Sequence, residues 1–262
     1  MSVVLPRAIL NISIDLELET ARLGSGDRRG MDEVVGRLLT LLAQFDLPAT
    51  WAVADPAVSS AAGRIRSMGT SHEIALFGDS TWVGREAARS RFARELMCRA
   101  VGSRGAGIEI STLALKGAQL ELHADLAVKH GITAVRHSGP QADKSVRQFL
   151  PRTLRYSLWS FPVSCTLPGR SRWLPGGGSG HRARTVIDKA INERGLVQLA
   201  VSAPELAARG SSSLGVLKRV LAHAQSRRRQ GLLEIATVAV TARRLSRQQQ
   251  SKPSHSILHT AA

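Results

Sequence analysis

The sequence predicts an α/β fold in which a parallel sheet closes into a distorted (β/α) barrel of about seven strands. Short apolar runs typical of buried strands alternate with segments of helical apolar spacing, and no linker divides the 262 residues. Right-handed crossovers between successive parallel strands close naturally into a barrel, at whose mouth the strand ends meet. A doubly wound open sheet is the alternative, but the segment after the first strand lacks the G-x-G-x-x-G order of a dinucleotide site.

Short apolar runs are predicted as the strands. The first, AILNISIDLEL, is continuous and of the buried type, and the second, LPATWAVAD, is closed by Pro56. The predicted strands cover residues 8–18, 47–55, 72–76, 107–115, 132–137, 154–163, 195–201 and 232–238.

Segments with helical apolar spacing lie between these runs, and Gly131 ends one of them in the manner of a helical C-cap. Residues 24–30 are predicted as a loop before the first helix. The connection 138–180 is irregular apart from its one strand, and its GGGSG stretch is interpreted as a flexible loop over the barrel. The predicted helices cover residues 31–45, 57–68, 85–101, 118–131, 181–194 and 213–229, and a short helix follows the last strand.

Residues 1–246 are expected to form a single domain. The composition then shifts to Gln, Ser, Lys and His, so residues 247–262 are predicted to be a disordered basic and polar tail. Lys and Arg outnumber Asp and Glu by 36 to 20, and the net charge of +16 attracts polyanions, although arginines spread along the chain also fit an ordinary solvated surface. No secretory signal or transmembrane run is recognised, and the chain is expected in the cytoplasm.

Acidic residues occupy the end of the first predicted strand: Asp15, Glu17 and Glu19. Because side chains alternate along a strand, Asp15 and Glu17 share one face and would both point into a barrel mouth. One carboxylate could then hold a cation while the other activates water. The alternative is a solvated acidic strand end that faces an arginine-rich surface.

The third predicted strand opens with SHEI, at residues 71–74. Together with SIDLE (13–17), LPATWAVAD (47–55) and the order of elements over roughly 8–246, this stretch resembles the polysaccharide deacetylase family, also called the NodB homology domain. The resemblance implies a barrel of the glycoside hydrolase/deacetylase kind that removes acetyl groups from N-acetylated sugars.

The resemblance also implies roles for particular residues. Asp15 takes the position of the general base and Glu17 that of a metal ligand. His72 and Glu73 form a structural motif that ties the third strand to neighbouring loops. A further family motif, an arginine and a proline that orient the base, matches residues 112–119, where Lys116 is the only basic residue and a candidate binding residue.

The sequence departs from the family pattern where the family has its metal-binding histidines. Phe77 and Thr81 occupy those two positions, and neither binds Zn²⁺ as an imidazole does. Asp79, between them, is the remaining candidate ligand, with a loop or helix-capping aspartate as the alternative. Val201 and Ser202 stand where the family has its general-acid histidine.

These departures favour a catalytically degenerate, polysaccharide-deacetylase-like protein of carbohydrate metabolism, for which no cofactor is expected. One alternative is an active hydrolase of non-peptide C–N bonds that uses Asp15, Glu17 and Asp79 with Zn²⁺, Mn²⁺ or Mg²⁺, or works without metal. The other is a basic protein that binds nucleic acid or another polyanion. A carbohydrate or another small ligand in the barrel mouth is the expected partner of a deacetylase-like barrel.

Overall fold

The computed structural model describes residues 5–16, 25–69, 71–78, 82–83, 88–116, 120, 123–138, 150–169 and 178–250, without the side chains of 25–29 and 138. Strands and helices alternate along most of the chain, as the sequence predicts. The strands are β1 Ala8–Leu16, β2 Thr50–Val53, β3 Glu73–Gly78, β4 Thr112–Lys116, β5 Ala134–Ser138, β6 Arg152–Thr153, β7 Trp159–Pro162, β8 Cys165–Leu167, β9 Leu196–Ser202 and β10 Leu233–Ala236. The helices are α1 Ser25–Gln44, α2 Ser60–Ser67, α3 Arg89–Gly105, α4 Ala124–Lys129, α5 Ser179–Glu193, α6 Ala203–Arg209, α7 Ser211–Arg229 and α8 Val238–Gln250, with a 3-10 turn at Arg155–Ser157.

The described strands form one sheet, ordered β6-β7-β5-β4-β3-β2-β1-β9-β8, with β10 alongside β1. Every pairing is parallel except that of β6 with β7. Only Val163 and Ser164 separate β7 from β8, so one run of chain bonds to β5 with its first half and to β9 with its second. The ring thus contains seven strands, if β7 and β8 count as one. The predicted distorted (β/α) barrel is confirmed.

Strand β1 shows how alternation divides the core into two parts. All nine of its residues are buried. Leu10, Ile12 and Ile14 belong to the main core between the sheet and the surrounding helices. Asn11 and Asp15 point to the other face, the barrel interior, where both make polar contacts. This one buried strand therefore contributes apolar side chains to the main core and polar side chains to the barrel interior.

Helix α8 closes the barrel at the end where the strands begin. Val238, Ala242 and Leu245 pack in the interior cluster that also contains Ile9 and Trp159. The Trp159 Nε1 atom donates to the Ser246 hydroxyl over 2.8 Å. The sequence predicts only a short helix here, with a tail from residue 247, but α8 continues to Gln250. In its last turn, the Gln249 side-chain amide donates to the Thr153 hydroxyl over 2.9 Å. Residues 251–262 lie outside the described ranges.

Other elements differ from the sequence prediction in their bounds. Helix α1 begins at Ser25 rather than at residue 31. The glycines among residues 24–30 favour a loop, but each glycine weakens a helix by only about 1 kcal/mol and does not forbid it. The single strand predicted over 154–163 is interrupted, since Tyr156 and Ser157 have left-handed backbone angles (φ 59° and 58°). No helix of the described chain is long and apolar enough to cross a membrane.

Candidate functional site

A buried ion pair spans the barrel interior near the carboxyl ends of the strands. The Arg136 Nη1 atom of β5 donates to Asp15 Oδ2 of β1 over 3.0 Å, and its Nη2 atom lies 2.9 Å from Oδ1. Arg136 is 0% exposed and Asp15 only 6%. A guanidinium carries its charge at any ordinary pH, so at this depth it needs an ionised partner, which Asp15 supplies.

Small residues and one aromatic ring surround this pair. Asp15 stands beside Ala52 of β2, and Arg136 beside Ala114 of β4. Phe77 of β3, 4% exposed, packs with these two alanines in a separate interior cluster. Because the alanine side chains are small, they leave room for the guanidinium of Arg136 and the ring of Phe77. Phe77 therefore fills barrel interior next to the ion pair.

The structure places only some of the residues predicted for the metal site. Asp15 lies in the barrel interior, but Glu17, Asp79 and Thr81 are outside the described residues. Within the described ranges, no group of three or more His, Cys, Asp or Glu side chains could hold a metal ion. Of the two expected histidine positions, the one that is described holds the buried ring of Phe77, which offers no donor atom.

The mouth of the barrel also contains two positions matched to other family motifs. Lys116 is the last residue of β4 and is exposed, two residues beyond Ala114. Ser202, beside Asp15 in the sheet, accepts a hydrogen bond from the Glu205 amide over 3.4 Å and thereby caps α6. A serine that caps a helix does not replace an imidazole general acid.

Sequence reasoning missed Arg136, the basic residue that the structure pairs with Asp15. The family's base-orienting arginine was matched to Lys116 on the preceding strand. A signal was nevertheless present, since Arg136 directly follows the apolar residues of the run ITAVRH, and arginine is almost never fully buried without a partner. The run indicates a buried arginine but does not show which carboxylate accompanies it.

His72 and Glu73 connect the start of β3 to its surroundings. His72 Nδ1 accepts a hydrogen bond from the Ala49 amide over 3.2 Å, and burial lowers the pKa of this imidazole. Glu73 Oε2 accepts from the Thr50 hydroxyl (2.8 Å) and from the Ala239 amide (3.0 Å) in the first turn of α8. The carboxylate thus stabilises the amino-terminal end of the helix that closes the barrel.

A cavity of about 750 Å³ lies at this end of the barrel, away from the Asp15–Arg136 pair. Its charged or titratable lining consists of Arg66, His72, Glu73, Glu109 and Arg243. Although the Glu73 residue as a whole is half-buried, its Oε1 atom is withdrawn from solvent. Burial raises the pKa of Glu73, and the hydrogen bonds to its charged form oppose the rise only in part.

Glu73→Gln is expected to gain stability relative to wild type as the pH rises. A raised folded-state pKa gives wild type its full stability below about pH 4.5, and that contribution is lost as the pH climbs through the folded-state value. Glutamine keeps an acceptor for Ala239 and Thr50 but does not ionise. Urea unfolding of both proteins across this range measures the difference. A difference between the two proteins that stays flat across this pH range would contradict the expectation.

The chain has a polysaccharide-deacetylase-like fold. It is a parallel (β/α) barrel with an aspartate at the mouth end of its first strand and a His-Glu pair at the start of its third. Solved structures bear this out. The chain is similar to a Mycobacterium smegmatis protein assigned as a polysaccharide deacetylase, with TM-score 0.69, 16% identity, and 93% and 91% of the two chains covered. No family model and no curated protein matches the sequence.

Other structures with this fold carry different descriptions. The PuuE allantoinase matches with TM-score 0.64 and 16% identity over 95% of this chain and 92% of its own. A mutant of BA3943, described as a CE4 family pseudoenzyme, matches with TM-score 0.55 and 11% identity over 90% of this chain and 68% of its own. At these identities the likeness concerns the fold, and function has to be argued from the site.

Proposed function

We propose that this protein is a degenerate member of the deacetylase-like fold, which has lost metal-dependent deacetylation and binds a carbohydrate or similar polar ligand at the barrel mouth. One observation carries the proposal: Phe77 is buried beside Asp15 and Arg136 at a position where the resemblance expects a metal-binding imidazole. A zinc-bound water reaches a pKa near 7, against about 15.7 in bulk. Without the metal, no hydroxide of that kind forms at neutral pH.

The Asp15 carboxylate also supports this proposal. A general base must be within reach of the water that it activates. Here both carboxylate oxygens face the guanidinium of Arg136 at 2.9 and 3.0 Å. The ion pair forms a fixed polar floor for the mouth, and Lys116 is an exposed donor at its rim. Such a surface suits hydroxyl and amide groups of a bound sugar.

Metal analysis and an acetate-release assay test the proposal together. After dialysis against Zn²⁺, Mn²⁺ or Mg²⁺, wild type is expected to retain no stoichiometric metal and to release no acetate from N-acetylglucosamine oligomers. Calorimetry with the same oligomers is expected to detect binding that Lys116→Ala weakens. One equivalent of metal that disappears in Asp15→Ala, together with acetate release, would instead establish an active hydrolase.

A variant that restores the two histidines tests the same proposal in the opposite direction. Phe77→His combined with Thr81→His supplies the imidazole pair that the resemblance implies, and this double variant is expected to bind Zn²⁺ more tightly than wild type. Phe77→His alone, with one imidazole, should bind less tightly than the pair. Equal zinc binding by wild type and the double variant would contradict the assignment of these two positions.

A further inference from the structure

A second cavity, of about 450 Å³, lies outside the barrel between the first turns of α5 and α7, next to the end of β8. Three arginines and a histidine line it: Arg184, Arg209, Arg219 and His181. None of its described lining residues is acidic. Cations placed close together repel one another, and an anion between them relieves the repulsion.

The three arginines differ in how far they are engaged. Arg209 is held, because its guanidinium bonds to the Gly169 carbonyl (3.3 Å) and pairs with Glu205 (3.4 Å). Arg184 and Arg219 are exposed, and neither has a side-chain hydrogen bond or ion pair within the described part of the chain. Two guanidinium groups therefore remain available to an incoming ligand, and guanidinium matches the oxygens of phosphate and sulfate in a bidentate manner.

The backbone around the cavity adds further donors. A Cβ on Gly180 would lie 2.7 Å from Val216 Cγ1, so the absence of a side chain lets α5 and α7 approach closely at their first turns. Neither helix has a side-chain cap on its first amides. The Ser213 hydroxyl also lines the space, as does the Ser212 hydroxyl, which donates to the Arg209 carbonyl over 3.4 Å. The arginines thus surround a cavity that is rich in donors, which suits an oxyanion.

We propose that this cavity binds the phosphoryl or sulfuryl group of a small molecule. Its volume falls in the range of small-ligand sites, about 300–1,000 Å³, whereas a nucleic acid is bound along an extended basic track. This site is separate from the barrel mouth and does not depend on the function proposed there. Part of the +16 net charge would then serve to bind this ligand.

Titration calorimetry in a phosphate-free buffer at fixed ionic strength tests the site. The probes are inorganic phosphate, sulfate and glucose 6-phosphate, with glucose as the uncharged control. Arg184→Gln/Arg219→Gln is expected to weaken binding of the charged probes by about tenfold or more. The matched control is Arg91→Gln/Arg229→Gln, which removes the same charge from two exposed arginines elsewhere and should change the affinity by less than about twofold.

Tighter binding of the sugar phosphate than of inorganic phosphate would assign the site to a phosphorylated metabolite, and the reverse order to the free oxyanion. Both outcomes support the proposal. Equal weakening by the two double variants would overturn it, because the attraction would then be general electrostatics. Absence of binding to wild type would also overturn it, as would a short duplex DNA that displaces phosphate and depends equally on all four arginines.

Discussion

Asp15→Asn is expected to lower the free energy of unfolding by about 3–5 kcal/mol, the usual cost of removing one partner from a buried ion pair. The substitution preserves the shape of the side chain but leaves the guanidinium of Arg136, which is 0% exposed, without a counter-charge. Arginine does not shed its proton to escape this situation. Urea unfolding of both proteins at neutral pH measures the difference.

A double-mutant cycle separates the ion pair from general damage to the barrel. Arg136→Met should also destabilise, while Asp15→Asn/Arg136→Met should lose far less than the sum of the two single changes, because no unpaired charge remains. The double variant also shows whether the barrel tolerates an apolar chain in place of the guanidinium. Strictly additive losses would contradict the expectation and mean that the two residues act separately.

Phe77→Ala is expected to cost a similar amount, about 3–5 kcal/mol, because the ring is buried and its neighbours cannot fill the space. Those neighbours, Ala52 and Ala114, carry only a methyl group each and lie on rigid strands. Phe77→Leu retains most of the volume and should cost less than about 1.5 kcal/mol.

An exposed apolar residue provides the control for this packing effect. Val58 is 70% exposed, and Val58→Ala is expected to stay within about 0.5 kcal/mol of wild type. Thermal or urea unfolding of the three variants gives the comparison. If Phe77→Ala were as mild as Val58→Ala, the ring would not be packed as described, and the argument that it fills the space beside the ion pair would fail.

The sequence predicts the barrel well because its signals are local. Alternation along β1 is enough to assign Leu10 and Ile12 to one face and Asp15 to the other. The capping signal of α6, Ser202 followed three residues later by Glu205, is local in the same way. Local chemistry of this kind needs no knowledge of the rest of the fold.

The remaining features depend on contacts between distant parts of the chain. Arg136 and Asp15 are 121 positions apart, and no periodicity connects them. The run from β7 to β8 pairs first with β5 and then with β9, and this change of partner depends on the curvature of the whole sheet. The candidate site is therefore predictable in its individual residues but not in its pairings.

Strand β1 bonds to β10 and α8, and these bonds determine when the barrel can close during folding. Asn11 donates to the Ala236 carbonyl and to the Thr241 hydroxyl, both over 2.8 Å, and β1 pairs with β10 over four residues. During synthesis the first strand therefore leaves the ribosome long before its last partners exist. Until then Asn11 lacks these native bonds, so the barrel cannot close around it before β10 and α8 have been synthesised.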